Sequence, residues 1–210
     1  MRDTGVAPAP FRESHVEVDG ARIRYTDAGQ GSPLVHLLGA GGVRPARAHD
    51  LLAHHVRVLT FELPEGPSPE HALARAIATL GLDTFDLMGT SSAGAAAIGL
   101  ALQEPRRVRA LVLEAPAAIR PDARDADLER RLSTLATPTL VLFGTADDIV
   151  PPAMGRVYKA SMSNCHLVFV YAAGHAISAD RPEAFVEVVV DFLERHEAFV
   201  ISRAQTVIHP

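Results

Sequence analysis

At 210 residues the chain is long enough to bury a substantial core without disulfide or metal staples. Its 48% hydrophobic and 21% charged content is that of a globular domain, which sets aside the disordered and fibrous classes. The net charge of −5 includes no basic run, which argues against nucleic acid or an anionic membrane as a partner, and a single cysteine, Cys165, excludes an internal disulfide or a cysteine-rich metal site.

Residues 1–14 are polar and contain prolines, and they read as a loose lead-in. They lack the apolar stretch of a signal peptide, and no run in the chain is long enough to cross a bilayer, so the expectation is a cytoplasmic protein with no membrane partner. Segments 15–18 and 22–28 then alternate apolar and polar around Asp19-Gly20, a two-residue turn signal. That pattern predicts an antiparallel hairpin with one wet face.

From residue 33 the pattern changes to near-continuous apolar runs at 33–38, 56–61, 85–88, 108–113, 138–143 and 166–171. Such runs, separated by helix-length segments, predict parallel strands buried on both faces. Helices are expected at 43–54, 69–80, 92–103, 151–162 and 181–195, with Pro69, Pro151 and Pro182 in first turns. The fold class is therefore α/β: one domain over 15–195, with an eight-stranded, mostly parallel sheet and helices on both faces. Between Pro116 and Pro138 there is room for a short exposed helix near 125–135 and for no cap domain. In the tail, 196–210, Phe199, Val200 and Ile201 are open to three readings: an added strand, a face for a second subunit in a homodimer, or a peripheral tail.

The most informative stretch is 84–103, in which Phe85-Asp86-Leu87-Met88 breaks at Gly89-Thr90-Ser91-Ser92-Ala93-Gly94 and continues as a segment of Ala, Gly, Ile and Leu. A turn from strand to helix within so few residues crowds the positions two before and two after its apex. Gly89 and Ala93 are the small flanks of Ser91, whereas centring on Ser92 would place β-branched Thr90 in the crowded position. Ser91 is thus the apex and Ser92 opens the helix. The turn lifts one hydroxyl above the sheet and aims the first free N–H groups of the helix at the same point.

Leu87 to Gly94 resembles the nucleophile elbow of the α/β-hydrolase family, departing at Ala93, where the usual residue is glycine. The resemblance implies a Ser, acid, His chain order, because a serine needs a base and the base needs an acid to orient it. It points to Asp147, in the Gly144-Thr145-Ala146-Asp147 loop followed by Val150-Pro151, and to His175, after Gly174 and ahead of Arg181-Pro182-Glu183. Glu114, at the end of the 108–113 run, is the reserve acid. The oxyanion donors implied are the N–H groups of Ser92 and Ala40. Leu38-Gly39 stands where relatives carry His-Gly, and His36, two residues earlier, is read as a substitute brace or a buried structural histidine. Residues 62–69 keep little of the relatives' Asp-x-x-Gly-His-Gly loop, so substrate selection is left open.

A serine nucleophile and the absence of metal-ligand or phosphate-loop spacings imply no metal and no cofactor. The expected activity is hydrolysis of a small carboxylic ester or thioester through an acyl-enzyme. The same three residues also serve C–C bond, lactone or amide cleavage and acyl transfer, and a non-catalytic binding or scaffold protein is the reading outside enzymes.

Overall fold

In the computed structural model, residues 11–39, 46–66, 68–119 and 126–199 are the described part of the protein. Their strands are β1 (Arg12–Val18), β2 (Ala21–Ala28), β3 (Pro33–Leu38), β4 (Arg57–Glu62), β5 (Phe85–Thr90), β6 (Val108–Glu114), β7 (Thr139–Gly144) and β8 (Cys165–Val170). The helices are α1 (Arg47–Leu52), α2 (Pro69–Thr79), α3 (Ala93–Gln103), α4 (Ala126–Leu132), α5 (Met154–Ser161), α6 (Ile177–Asp180) and α7 (Pro182–Arg195), followed by a 3-10 turn at His196–Ala198.

All eight strands form one sheet in the order β1-β2-β4-β3-β5-β6-β7-β8. The first hairpin is antiparallel and β2 meets β4 antiparallel, while β4, β3, β5, β6, β7 and β8 run parallel. This is the mixed, mostly parallel sheet that the apolar runs predict. Each run divides between two cores by the two-residue period of a strand. Val35 and Leu37, Leu87, Leu111 and Leu113, and Val141 and Phe143 face the layer of α2, α3 and α5. Leu34, Met88, Val112, and Leu140 and Leu142 face the layer of α1 and α7. A strand buried this way has no polar face to reveal its register, which is why its sequence shows no alternation.

Several boundaries differ from the expectation. β1 starts at Arg12, inside the stretch read as a lead-in, because backbone pairing of Arg12 with Asp27 continues past the apolar alternation. Pro69 and Pro182 do sit at first helical positions, but Pro151 precedes α5, which opens at Met154. Residues 43–45 of the expected first helix and residue 125 lie outside the described residues. In the tail, Phe199 is 3% exposed and packs edge-on against Phe192 of α7 and His166 of β8, so it closes the core of this chain. Val200 and Ile201 lie outside the described residues. Cys165 is a buried free thiol pushed up to about 11 by burial, which makes it a core residue and a poor nucleophile. No described helix is long and apolar enough to cross a membrane.

Candidate active site

Parallel strands deliver their exit loops to one edge of the sheet, and three of those loops carry the residues in question. β5 ends at Thr90, and Ser91 follows with φ 53°, in the left-handed region that a non-glycine residue enters at a cost of about 1–3 kcal/mol. Three backbone hydrogen bonds hold it there. Ser91 N–H donates to Glu114 O at 2.9 Å, and Ser91 O accepts from Gly94 N–H at 3.0 Å and Ala117 N–H at 3.1 Å. The small residue at 89 is required: a Cβ there would lie 2.6 Å from Ala97 Cβ and 3.1 Å from Gly94 Cα. Ser92 caps α3, and its N–H has no hydrogen-bond acceptor among the described residues.

β7 exits into Asp147, whose side chain is buried. Asp147 Oδ1 accepts the N–H groups of Ile149 and Val150, both at 2.9 Å, so the carboxylate is locked by its own loop. Asp147 Oδ2 is then left facing His175 Nδ1 at 2.9 Å. β8 exits through Ala172, with φ 56°, to His175, whose Nε2 lies 2.8 Å from Ser91 Oγ. The two exit loops are tied by Ala146 N–H to Ala173 O at 2.9 Å. The Asp180 carboxylate accepts Gly174 N–H at 2.7 Å. Gly144 has no room for a side chain, since a Cβ there would overlap Ala173 O and Gly174 O. The structure thus brings Ser91, His175 and Asp147 into one hydrogen-bonded line, with the serine hydroxyl within proton-transfer distance of the imidazole.

Ala40 lies outside the described residues. Its neighbour Gly39 approaches so closely that a Cβ on it would overlap Ser92 Oγ, which puts the end of β3 beside the start of α3. Glu114, the reserve acid, has other partners. It is fully buried, and both its carboxylate oxygens are hydrogen-bonded to groups other than the imidazole: Oε2 accepts the Thr90 hydroxyl at 2.9 Å and Oε1 accepts Ser178 N–H at 2.7 Å. Asp147 holds the position at His175 Nδ1 that a reserve acid would need.

His36 is 1% exposed and lies in a chain of polar contacts. Ala46 N–H donates to His49 Nδ1 at 3.0 Å; His49 Nε2 meets His36 Nδ1 at 2.9 Å; His36 Nε2 meets Thr90 Oγ1 at 2.8 Å. His36 is therefore a buried histidine with a partner on each side. Burial, aided by the neighbouring His49, holds its pKa well below the ordinary value, and burial lowers that of His49 too.

This lowering has a measurable sign. A histidine whose folded-state pKa is depressed contributes stability that is full above its unfolded value, about 6.5, and is lost as pH falls toward the folded value. Each of the two adds up to about 1.4 kcal/mol per pH unit to the slope. The expected result of urea titrations between pH 7 and 5 is a steeper loss of stability in the wild type than in the His36→Gln, His49→Gln double variant. Parallel curves would contradict it.

Comparisons with known proteins follow the same lines. A family described as TAP-like protein matches residues 109–198. A pimeloyl-[acyl-carrier protein] methyl ester esterase of Pectobacterium carotovorum subsp. carotovorum (strain PC1) is 32% identical over 104 residues, 45% of this chain and 40% of that one. A 2-hydroxy-6-oxononadienedioate/2-hydroxy-6-oxononatrienedioate hydrolase of Paraburkholderia xenovorans is 37% identical over 67 residues, 32% of this chain and 23% of that one. The chain therefore spans well under half the length of either relative. Among solved structures, a CIB-like hydrolase from Thermoplasma acidophilum superposes with a TM-score of 0.71 over 89% of this chain and 98% of that one, at 21% identity.

Proposed function

We propose, from the α/β-hydrolase fold of the chain, that it is a serine hydrolase of small carboxylic esters or thioesters. The observation that carries this reading is the line Ser91 Oγ, His175 Nε2, His175 Nδ1, Asp147 Oδ2, with contacts of 2.8 and 2.9 Å, on strand exits at one edge of the sheet.

In this reading Ser91 Oγ attacks the substrate carbonyl while its proton passes to His175 Nε2. Asp147, held by two backbone amides, accepts the His175 Nδ1–H, fixes the tautomer and stabilises the imidazolium that forms. The oxyanion receives the N–H of Ser92 at the start of α3, and that of Ala40 is assigned as the second donor. Each donor is worth about two to three orders of magnitude in rate. The imidazolium then protonates the departing alcohol or thiol, and a water, deprotonated by the same nitrogen, releases the acid from Ser91. No metal or redox group enters these steps. Between Ala115 and Pro138 the described residues hold the short α4, and we assign an open site without a cap to this chain.

The ester reading is supported by the name of the Pectobacterium relative, and a second reading, cleavage of a C–C bond beside a ketone, by that of the Paraburkholderia relative. Both use the same nucleophile and differ in the leaving group, a heteroatom or a carbanion. The test is fluorophosphonate labelling of the wild-type protein, followed by turnover of p-nitrophenyl esters of increasing acyl length and of a vinylogous 1,5-diketone acid. Labelling with ester turnover supports the first reading. Labelling with turnover of the diketone alone supports the second. A folded wild type that takes no label leaves a non-catalytic binding protein.

A further inference from the structure

Glu114 is a fully buried carboxylate with no part in the steps above, and among the described residues no Lys or Arg side chain compensates it. Its contacts fall on both sides of the proposed nucleophile and base. Its backbone oxygen accepts Ser91 N–H, its Oε2 accepts the hydroxyl of Thr90, the residue just before Ser91, and its Oε1 accepts the N–H of Ser178, three residues past His175.

The chain behind Thr90 gives these contacts a direction. Ala46 N–H can only donate, so His49 Nδ1 accepts, and a neutral His49 must carry its hydrogen on Nε2. That hydrogen goes to His36 Nδ1, so His36 in turn carries its hydrogen on Nε2 and gives it to Thr90 Oγ1. Burial keeps both rings neutral, and the hydroxyl of Thr90 has its one hydrogen left for Glu114. Every donor in this relay through α1, β3 and β5 thus points toward Glu114, and Ser178 of α6 supplies one more. A carboxylate that only accepts completes this arrangement.

Resting on the serine-hydrolase reading, we infer that Glu114 is a positioning residue whose carboxylate clamps the turn of Ser91 to the loop of His175, with the His36–His49 pair setting the direction of the clamp. A separation of 2.8 Å between nucleophile and base requires two loops from different strands to be held to a fraction of an ångström. A residue that touches both loops is placed to do this. The groups facing the carboxylate are Thr90 from β5, Ser178 from α6 and the imidazole of His175, with His36 of β3 and His49 of α1 beyond Thr90.

A purely structural carboxylate and a positioning one give opposite results on stability. Burial raises the Glu114 pKa against the bonds from Ser178 and Thr90. A raised carboxyl contributes stability that is full below its unfolded value and lost as pH rises through the folded one. Burial disfavours the charged form, a cost that the neutral glutamine of Glu114→Gln does not carry.

The experiment measures fluorophosphonate labelling rates, ester kcat and KM, and thermal midpoints for wild type, Glu114→Gln, Thr90→Val and Thr90→Ser. The expected result for Glu114→Gln is labelling and kcat lowered by about tenfold to hundredfold, KM within about twofold, and a thermal midpoint not below that of wild type. Thr90→Val is expected to slow labelling in the same sense, and Thr90→Ser, which restores the hydroxyl, to return it to within about threefold of wild type. Wild-type labelling rates in Glu114→Gln overturn the inference, as does a fall in midpoint with unchanged kcat. Should Glu114→Gln fail to fold, equal rates for Thr90→Val and Thr90→Ser overturn it. Absence of labelling in the wild type is a different failure, that of the serine-hydrolase reading itself.

Discussion

Ser91→Ala is expected to lower ester kcat by about six orders of magnitude and to abolish fluorophosphonate labelling, with the thermal midpoint unchanged. The chemical loss follows from removing the only atom that bonds to the acyl group. What remains is the modest acceleration that oxyanion donors and binding supply by themselves, about three to four orders over water. The fold should tolerate the change, because alanine meets the same backbone demand that Ser91 meets at φ 53°. This chain already holds Ala115 at φ 43° and Ala172 at φ 56°. The backbone bonds that fix the turn, to Glu114 O and from Gly94 and Ala117, do not involve the hydroxyl. A Ser91→Ala protein that retains more than about 1% of the ester activity would remove Ser91 from the reaction.

Asp147→Asn is expected to lower kcat by about four orders of magnitude with little change in KM or stability. The reason lies in how the loop divides the two oxygens. Ile149 and Val150 N–H require an acceptor at the Oδ1 position, and the asparagine must place its one oxygen there. Its NH2 then faces His175 Nδ1, which must accept instead of donate. The imidazole hydrogen moves to Nε2 and points at Ser91 Oγ, so no lone pair is left to take the serine proton. Steady-state kinetics on one ester substrate checks this. A loss below about tenfold would mean that another acid orients His175, and Glu114, once the reserve candidate, would be the first to examine.

The apolar runs at 33–38, 85–88, 108–113 and 138–143 were enough to predict the parallel part of the sheet, because a strand buried on both faces has to be largely apolar. The order Ser91, Asp147, His175 was implied by the resemblance to the α/β-hydrolase family, and parallel strands, which send their exits to one edge, let the three residues meet. Gly89 and Ala93 marked the apex because crowding at a sharp turn is a local effect, written in neighbouring residues.

What only the tertiary structure decided is which groups meet across the sheet. Whether Asp147 or Glu114 faces His175 depends on loop geometry after β6 and β7; the Gly144-Thr145-Ala146-Asp147 loop favoured Asp147 in the sequence and left Glu114 in reserve. The partners of Glu114 come from β5 and α6, and those of His36 from α1 and β5. No periodicity connects residues 36, 49, 90, 114 and 178. Local sequence specifies secondary structure through short-range sterics and burial. A buried polar chain is assembled from elements far apart in sequence, each satisfied only when the others are in place, so its existence is a property of the packed sheet.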